Sequence, residues 1–174
     1  MSDTQLLTIL RYPDPRLHTV AKPVAAVDDA IRAMIERMLA TMYEAQGIGL
    51  AATQVDFHQR LVVIDVSEER DQPLVLINPE IEWASPTQRR GEEGCLSVPG
   101  IYDGVERSIA VKVRALDEQG ESRLIEAEGM LAVCIQHEID HLNGVLFIDR
   151  MSAAAKVGLK RKLARLMAEW DEED

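Results

Sequence analysis

The chain is expected to be α+β: a single domain of mostly antiparallel strands surrounding a central helix, with an N-terminal and a C-terminal helix. Three observations predict this. A length of 174 residues fits one domain with a real core. β-branched and alternating runs fill the middle of the chain, with helical apolar stripes before and after them. No repeat, linker or composition break divides the sequence, so the domain is expected to span 1–174.

The elements follow in order. Pro13, Pro15 and Pro23 keep the first stretch loop-like. Ile31, Met34, Ile35, Met38, Leu39 and Met42 then form one stripe, predicting a helix over 28–46, capped by Asp28 or Asp29 and ended by Gly47. The segment 47–54, Gly-Ile-Gly-Leu-Ala-Ala-Thr-Gln, carries no charge and is rich in small residues. Strands are predicted at 61–66 and 74–77, the second closed by Asn78-Pro79, with a short strand at 81–84. Residues 109–115 alternate apolar and polar, 117–120 turn, and 122–128 return antiparallel. Helices are predicted over 130–142, stopped by Asn143-Gly144, and from Ser152 to about Trp170.

Composition narrows the function. Apolar residues at 47% and charged residues at 28% are ordinary for a soluble globular chain. A net charge of −11 argues against binding specific nucleic acid over the whole surface. A local basic face remains at Lys156, Lys160, Arg161, Lys162 and Arg165, just before the acidic end Glu169, Asp171, Glu172, Glu173 and Asp174. No run approaches the ~18 apolar residues of a membrane span, and the N-terminus has no apolar signal core. The expected location is the cytoplasm, where Cys95 and Cys134 remain free thiols.

His137-Glu138-Ile139-Asp140-His141 carries the strongest chemical signal. Residues four apart share one helix face, so both imidazoles can reach one ion. Glu138 points about 100° away from His137, beside rather than onto that ion. The preceding Met130, Leu131, Val133, Cys134 and Ile135 are apolar, which predicts a buried helix whose polar residues need partners. Catalytic sites of this type use three protein ligands. Candidates for the third are Cys95, Cys134, His18, His58 and the acids downstream. Cys134 reads better as a small buried hydrophobe, and His18 and His58 as surface residues. Cys95 stands between Gly94 and Gly100, with Pro99 close by, in a shaped turn rather than a plain strand. The segment 47–54 lacks the Gly-Lys-Ser/Thr of a phosphate loop and follows a helix rather than a strand. It reads instead as a close backbone approach that delivers Gln54.

Taken together, Gly47 to Gln54, Glu93 to Ser97 and His137 to His141 closely resemble the G-x-G-x-A-A-x-Q, E-G-C-L-S and H-E-x-D-H motifs of the peptide deformylases, in that order. The spacing and length resemble the short bacterial form, from the Pro13-Asp14-Pro15 region to the last helix. The resemblance implies a metal-dependent hydrolase that removes the formyl group from the N-terminal formyl-methionine of new proteins and releases formate. It assigns Cys95, His137 and His141 to one divalent metal, Fe2+ in the cell, with Zn2+, Ni2+ or Co2+ in preparations. Metal-bound water is then the nucleophile, with Glu138 as general acid/base. Gln54 and the Leu96 N–H would stabilise the oxyanion. Ile48, Gly49, Val133 and Cys134 are nominated as walls of an apolar slot for the methionine side chain. Glu93 is expected to be structural, paired with Arg107. Expected partners are N-formyl-methionyl peptides and nascent chains, with ribosome contact through Lys156, Lys160 and Lys162 of the C-terminal helix.

Two rivals stand beside this reading. A protease with the same helix takes its third ligand downstream, but no His follows His141 and the first downstream Glu is Glu169. A structural metal module wants a fourth protein ligand and leaves Glu138 without a task.

Overall fold

The computed structural model describes residues 5–173, with side chains as far as Trp170. Met1 to Thr4, and the acidic side chains from Asp171 to Asp174 singled out above, lie outside the described set. The fold is α+β, as expected. Among the described residues, seven strands form two antiparallel sheets, and three α-helices pack against them.

The first helix, α1 (Asp29–Glu44), starts where Asp28 accepts the Ile31 N–H at 3.0 Å. The left-handed residue after it is Gln46 (φ 59), not Gly47 as the sequence suggests. Gly47 is needed elsewhere: a methyl group built on it would lie 2.6 Å from Leu96 Cδ1. Short strand β1 (Gly49–Ala51) follows, then a turn of 3-10 helix, Ala52–Val55, that holds Gln54.

Strands β1, β2 (Leu61–Ile64), β3 (Leu74–Ala84), β6 (Ala110–Leu116) and β7 (Ser122–Glu128) form one sheet in the order β1-β2-β3-β6-β7. The sheet has two buried faces. Leu61, Val63, Val75 and Ile77 pack with Ile31, Ile35, Met38 and Met42 of α1. Val62, Ile64, Leu76, Val111 and Val113 pack with Ala132, Ile135, Ile139 and Leu142 of α2 (Gly129–Leu142). That is why β2 is apolar at every position instead of alternating.

β3 departs from the sequence expectation. It runs through Asn78-Pro79 as one strand instead of stopping there. Asn78 takes a positive φ of 53, and the register with β6 shifts between Ile77 and Glu80. Proline, which has no N–H for the ladder, is tolerated at such an irregularity. The Asn78 side chain brackets Val24, accepting its N–H at 2.8 Å and donating to its carbonyl at 3.0 Å.

A second sheet is the hairpin of β4 (Gln88–Cys95) and β5 (Val98–Ser108), which the sequence reading did not foresee as strands. Its apolar side, Val98, Ile101 and Val105, joins Phe147, Ile148, Leu163 and Trp170 in a third core with α3 (Ala153–Glu173). Ser152 caps α3 by accepting the Ala155 N–H at 3.1 Å. Helix α2 touches β1, β2, β5, β6 and β7, so it is the central helix of the fold. No helix among the described residues is long and apolar enough to cross a membrane.

Candidate active site

Helix α2 brings His137 and His141 to one face, with Nε2 atoms 3.2 Å apart. Cys95 ends β4 and turns its sulfur to within 3.3 Å of His141 Nε2. These three donor atoms lie within 4.8 Å of one another. His137 is 7% and His141 0% exposed, while Cys95 is half-buried. Cys134 lies one turn before His137 and makes no part of this cluster. Its thiol is buried, which pushes its pKa well above the usual value. His18 is exposed and His58 lies beside Asp56, both away from the cluster. Both cysteines are free thiols.

The orientation of His137 has a visible cause. Its Nδ1 donates to Glu93 Oε1 at 2.9 Å, which turns Nε2 toward Cys95 and His141. Glu93 also accepts from Arg107 Nε at 2.8 Å and Nη2 at 3.0 Å. The Glu93–Arg107 pair read from the sequence is therefore present. Arg107 extends it to Asp140 at 2.6 Å, and Arg150 clamps the same Asp140 at 2.5 and 2.7 Å. The buried acid at the end of α2 thus finds its partners in two arginines rather than in an ion. Burial alone would raise the Glu93 pKa, but His137 and Arg107 hold it below the usual value. His141 is pushed well below the ordinary imidazole range by burial and by the cations around it. For His137 burial acts downward, but Glu138, Cys95 and Glu93 outweigh it and raise the pKa.

Glu138 is 4% exposed, and its Oε1 has no hydrogen-bond partner. Its Oε2 stands 4.0 Å from His137 Nε2. Burial raises its pKa to about 7. Such a carboxyl can exchange a proton near neutral pH.

Gln54 comes from the other side. Its Oε1 accepts the Ala51 N–H at 2.9 Å, which fixes the flip of the amide. The NH2 group then points at Ser97 Oγ, 3.0 Å away, and at Cys95 Sγ, 3.5 Å away. Leu96 occupies the tip between β4 and β5, next to Gly47.

A cavity of about 990 Å³ opens over this cluster. Ile48, Gly49, Val133 and Cys134 all line it, as do Gln54, Cys95, Leu96, His137 and Glu138. Tyr102 of β5 and Met130 of α2, which the sequence did not mark as site residues, line it too. Met130, at the start of α2, is 64% exposed, so that end of the helix is open where the apolar run predicted burial. An apolar residue beside a cavity reads from sequence like any core residue, and only the fold separates the two.

The profile of the Polypeptide deformylase family matches residues 6–157. The chain belongs to that family. A relative from Ralstonia nicotianae, peptide deformylase 1, is 60% identical over 160 residues, covering 92% of this chain and 95% of its own. The crystal structure of a peptide deformylase from Legionella pneumophila is 44% identical, with a TM-score of 0.90, over 96% of this chain and 98% of that one. The Met-Ala-Ser-bound class I type b peptide deformylase from Acinetobacter baumannii is 35% identical, with a TM-score of 0.80, over 85% of this chain and 99% of that one. The arrangement of helices and antiparallel sheets is the one these structures share.

Proposed function

We propose that this chain, as one catalytic domain over 1–174, removes the formyl group from N-formyl-methionyl peptides by metal-dependent hydrolysis. The observation that carries the reading is the convergence of Cys95, His137 and His141, with Cys95, His137 and a buried Glu138 whose Oε1 has no partner lining one cavity. The donor set fits a divalent metal: one cysteine sulfur and two imidazoles, with the His137 Nε2 aimed inward by the Glu93 bond to Nδ1. Iron fits this donor set as zinc, nickel or cobalt does, and we assign Fe2+ in the cell. Such an ion supplies Lewis acidity, lowering the pKa of water from 15.7 toward about 7.

The protein's own groups do the rest. Glu138 accepts a proton from the attacking water and passes it to the leaving amine. Gln54 Nε2 and the Leu96 N–H meet the negative charge that develops on the formyl oxygen. Ile48, Gly49, Val133 and Cys134 receive the methionine side chain, consistent with the Met-Ala-Ser bound by the Acinetobacter baumannii relative. β1 is an edge strand, and Gly47, Ile48 and Gly49 line the cavity, so an extended peptide can add to that edge as a further strand. We place the reaction in the cytoplasm, on nascent chains, with the exposed Lys156, Lys160 and Lys162 of α3 facing the ribosome.

The test is formate release from a formyl-Met tripeptide, by protein purified without oxygen and with its metal counted. Wild type should release formate with about one metal per chain, and Glu138→Ala should keep the metal and release none. A metal-loaded wild type that leaves the formyl group in place rejects the proposal.

A further inference from the structure

The loop 65–72 after β2 is built around Asp65, which is wholly buried. Asp65 Oδ1 accepts the Ser67 N–H at 2.9 Å and the Ser67 hydroxyl at 2.5 Å. Its Oδ2 accepts the Tyr43 hydroxyl at 2.6 Å and the Gln72 N–H at 3.1 Å. Four donors on one carboxylate hold the loop against the end of α1. Within that loop Arg70 has φ 58, a left-handed backbone that a non-glycine residue adopts at a cost. From there its guanidinium lies 5.3 Å from the centroid of the Tyr43 ring. It donates through Nη1 to the Asp65 carbonyl at 3.0 Å, and through Nη2 to the Gly47 carbonyl.

Gly47 gives these contacts their meaning. It opens the segment that runs past both proposed catalytic groups. A methyl group on Gly47 would lie 2.6 Å from Leu96 Cδ1, and one on Gly49 would lie 2.6 Å from Glu138 Oε2. The carbonyl between them, that of Ile48, accepts the Asp65 N–H at 2.8 Å. The carbonyls of Gly47 and Ile48 are therefore both held by the loop 65–72, that of Ile48 with the Cys134 thiol 3.8 Å away as well. No residue of that loop lines the cavity itself.

We infer that Arg70 is a positioning residue for substrate binding: its forked guanidinium fixes the Gly47 carbonyl, and through it the backbone of 47–49 along which the peptide lies. This rests on the functional reading above. Two donors at fixed separation bind two carbonyls at once, so lysine, a single point charge, cannot replace them. The contribution is to where the peptide backbone is received, not to the chemical step.

The experiment compares Arg70→Leu, Arg70→Lys and wild type on a formyl-Met tripeptide and on formyl-Met amide, which has no downstream residues to lay along β1. For the Leu variant, KM for the tripeptide should rise about tenfold while kcat stays within about threefold, and the short amide should change little. The Lys variant should fall between. Metal content should stay at the wild-type level. Hydrogen–deuterium exchange over 47–51 should rise in the Leu variant while that of Gly129–Leu142 stays unchanged. Unchanged tripeptide KM with unchanged exchange at 47–51 overturns the inference. So does an equal loss on both substrates with exchange rising throughout α2, which would make Arg70 a residue of the fold alone. A wild type that releases no formate defeats the functional reading instead, and the exchange comparison still decides whether Arg70 holds 47–49.

Discussion

Arg107 is 4% exposed and lies between two buried carboxylates. It gives Glu93 two hydrogen bonds, at 2.8 and 3.0 Å, and Asp140 one at 2.6 Å. Arg107→Met keeps much of the volume and removes every one of these. Asp140 still has Arg150, but Glu93 is left with His137 alone. Removing one partner of a buried ion pair typically costs about 3–5 kcal/mol, because the other charge stays buried without compensation. For a chain of this length each kcal/mol lowers Tm by roughly 2–4 °C, so a fall on the order of 10 °C is expected. The same change frees the carboxylate that aims His137, and loss of such a support typically weakens metal binding by about 10–100-fold. Urea unfolding gives the first quantity and a chelator titration the second. Adding Glu93→Gln to the Arg107 variant should recover part of the stability, because it removes the stranded charge. A single variant that unfolds within about 1 kcal/mol of wild type would show that the pair is not the strut described above.

Gly49→Ala should be more damaging than Gly47→Ala. The added methyl meets Glu138 Oε2 at 2.6 Å and Cys134 Sγ at 2.8 Å, both buried, whereas at Gly47 it meets the end of a flexible Leu96 side chain. Overpacking of about 1–3 kcal/mol and a loss of about 100-fold in kcat are expected at Gly49; equal activity of the two variants would contradict the contact argument. Gln54→Ala should lower kcat by about 100-fold with little change in KM, and steady-state kinetics in which only KM moves would take Gln54 out of the oxyanion role. Acid stability should report on Asp65. Burial raises its pKa, but Ser67, Tyr43 and Gln72 outweigh this and lower it from 3.8 to about 2. A depressed folded value means the stabilisation is complete above the unfolded pKa and is lost as pH falls through the folded one. Asp65→Asn should therefore show a shallower fall of Tm between about pH 4 and pH 2, and curves parallel to wild type would refute this.

Much of this fold was legible because α1 and β6 bury one face each. The stripe from Ile31 to Met42 and the alternation over 109–115 are direct signatures of that burial. The β4–β5 hairpin escaped because burial is not what shapes its first strand. β4 reads Gln-Arg-Arg-Gly-Glu-Glu-Gly-Cys and is exposed along its first five residues, so its ladder with β5 leaves no apolar period. Asn78-Pro79 misled for a related reason: the pair looks like a terminator, and only the side-chain bracket on Val24 shows why the strand continues. At the site, the short helical spacing of His137, Glu138 and His141 was plain. Cys95 lies 42 residues before His137 in the sequence, and geometry alone did not select it over other candidates; the ordered motifs did. The Asp140–Arg150 clamp spans ten residues across the end of α2, and nothing in the local pattern marked it.

His137, Glu138 and His141 sit on the central helix, His141 wholly enclosed and Glu138 nearly so, and the cavity beside them is lined by Cys95, His137, Glu138 and Gly49 of β1. That depth sets a deadline. On the proposed function the substrate is a chain end that enters this cavity, so a protein whose amino terminus has already packed into its own core is out of range. A ribosome adds about 5–20 residues per second, which keeps the terminus of a 100-residue domain loose for roughly 5–20 seconds. On the proposed function, turnover is thus a race against the client's own folding, and fast-folding clients with buried first residues are the ones that keep their formyl groups.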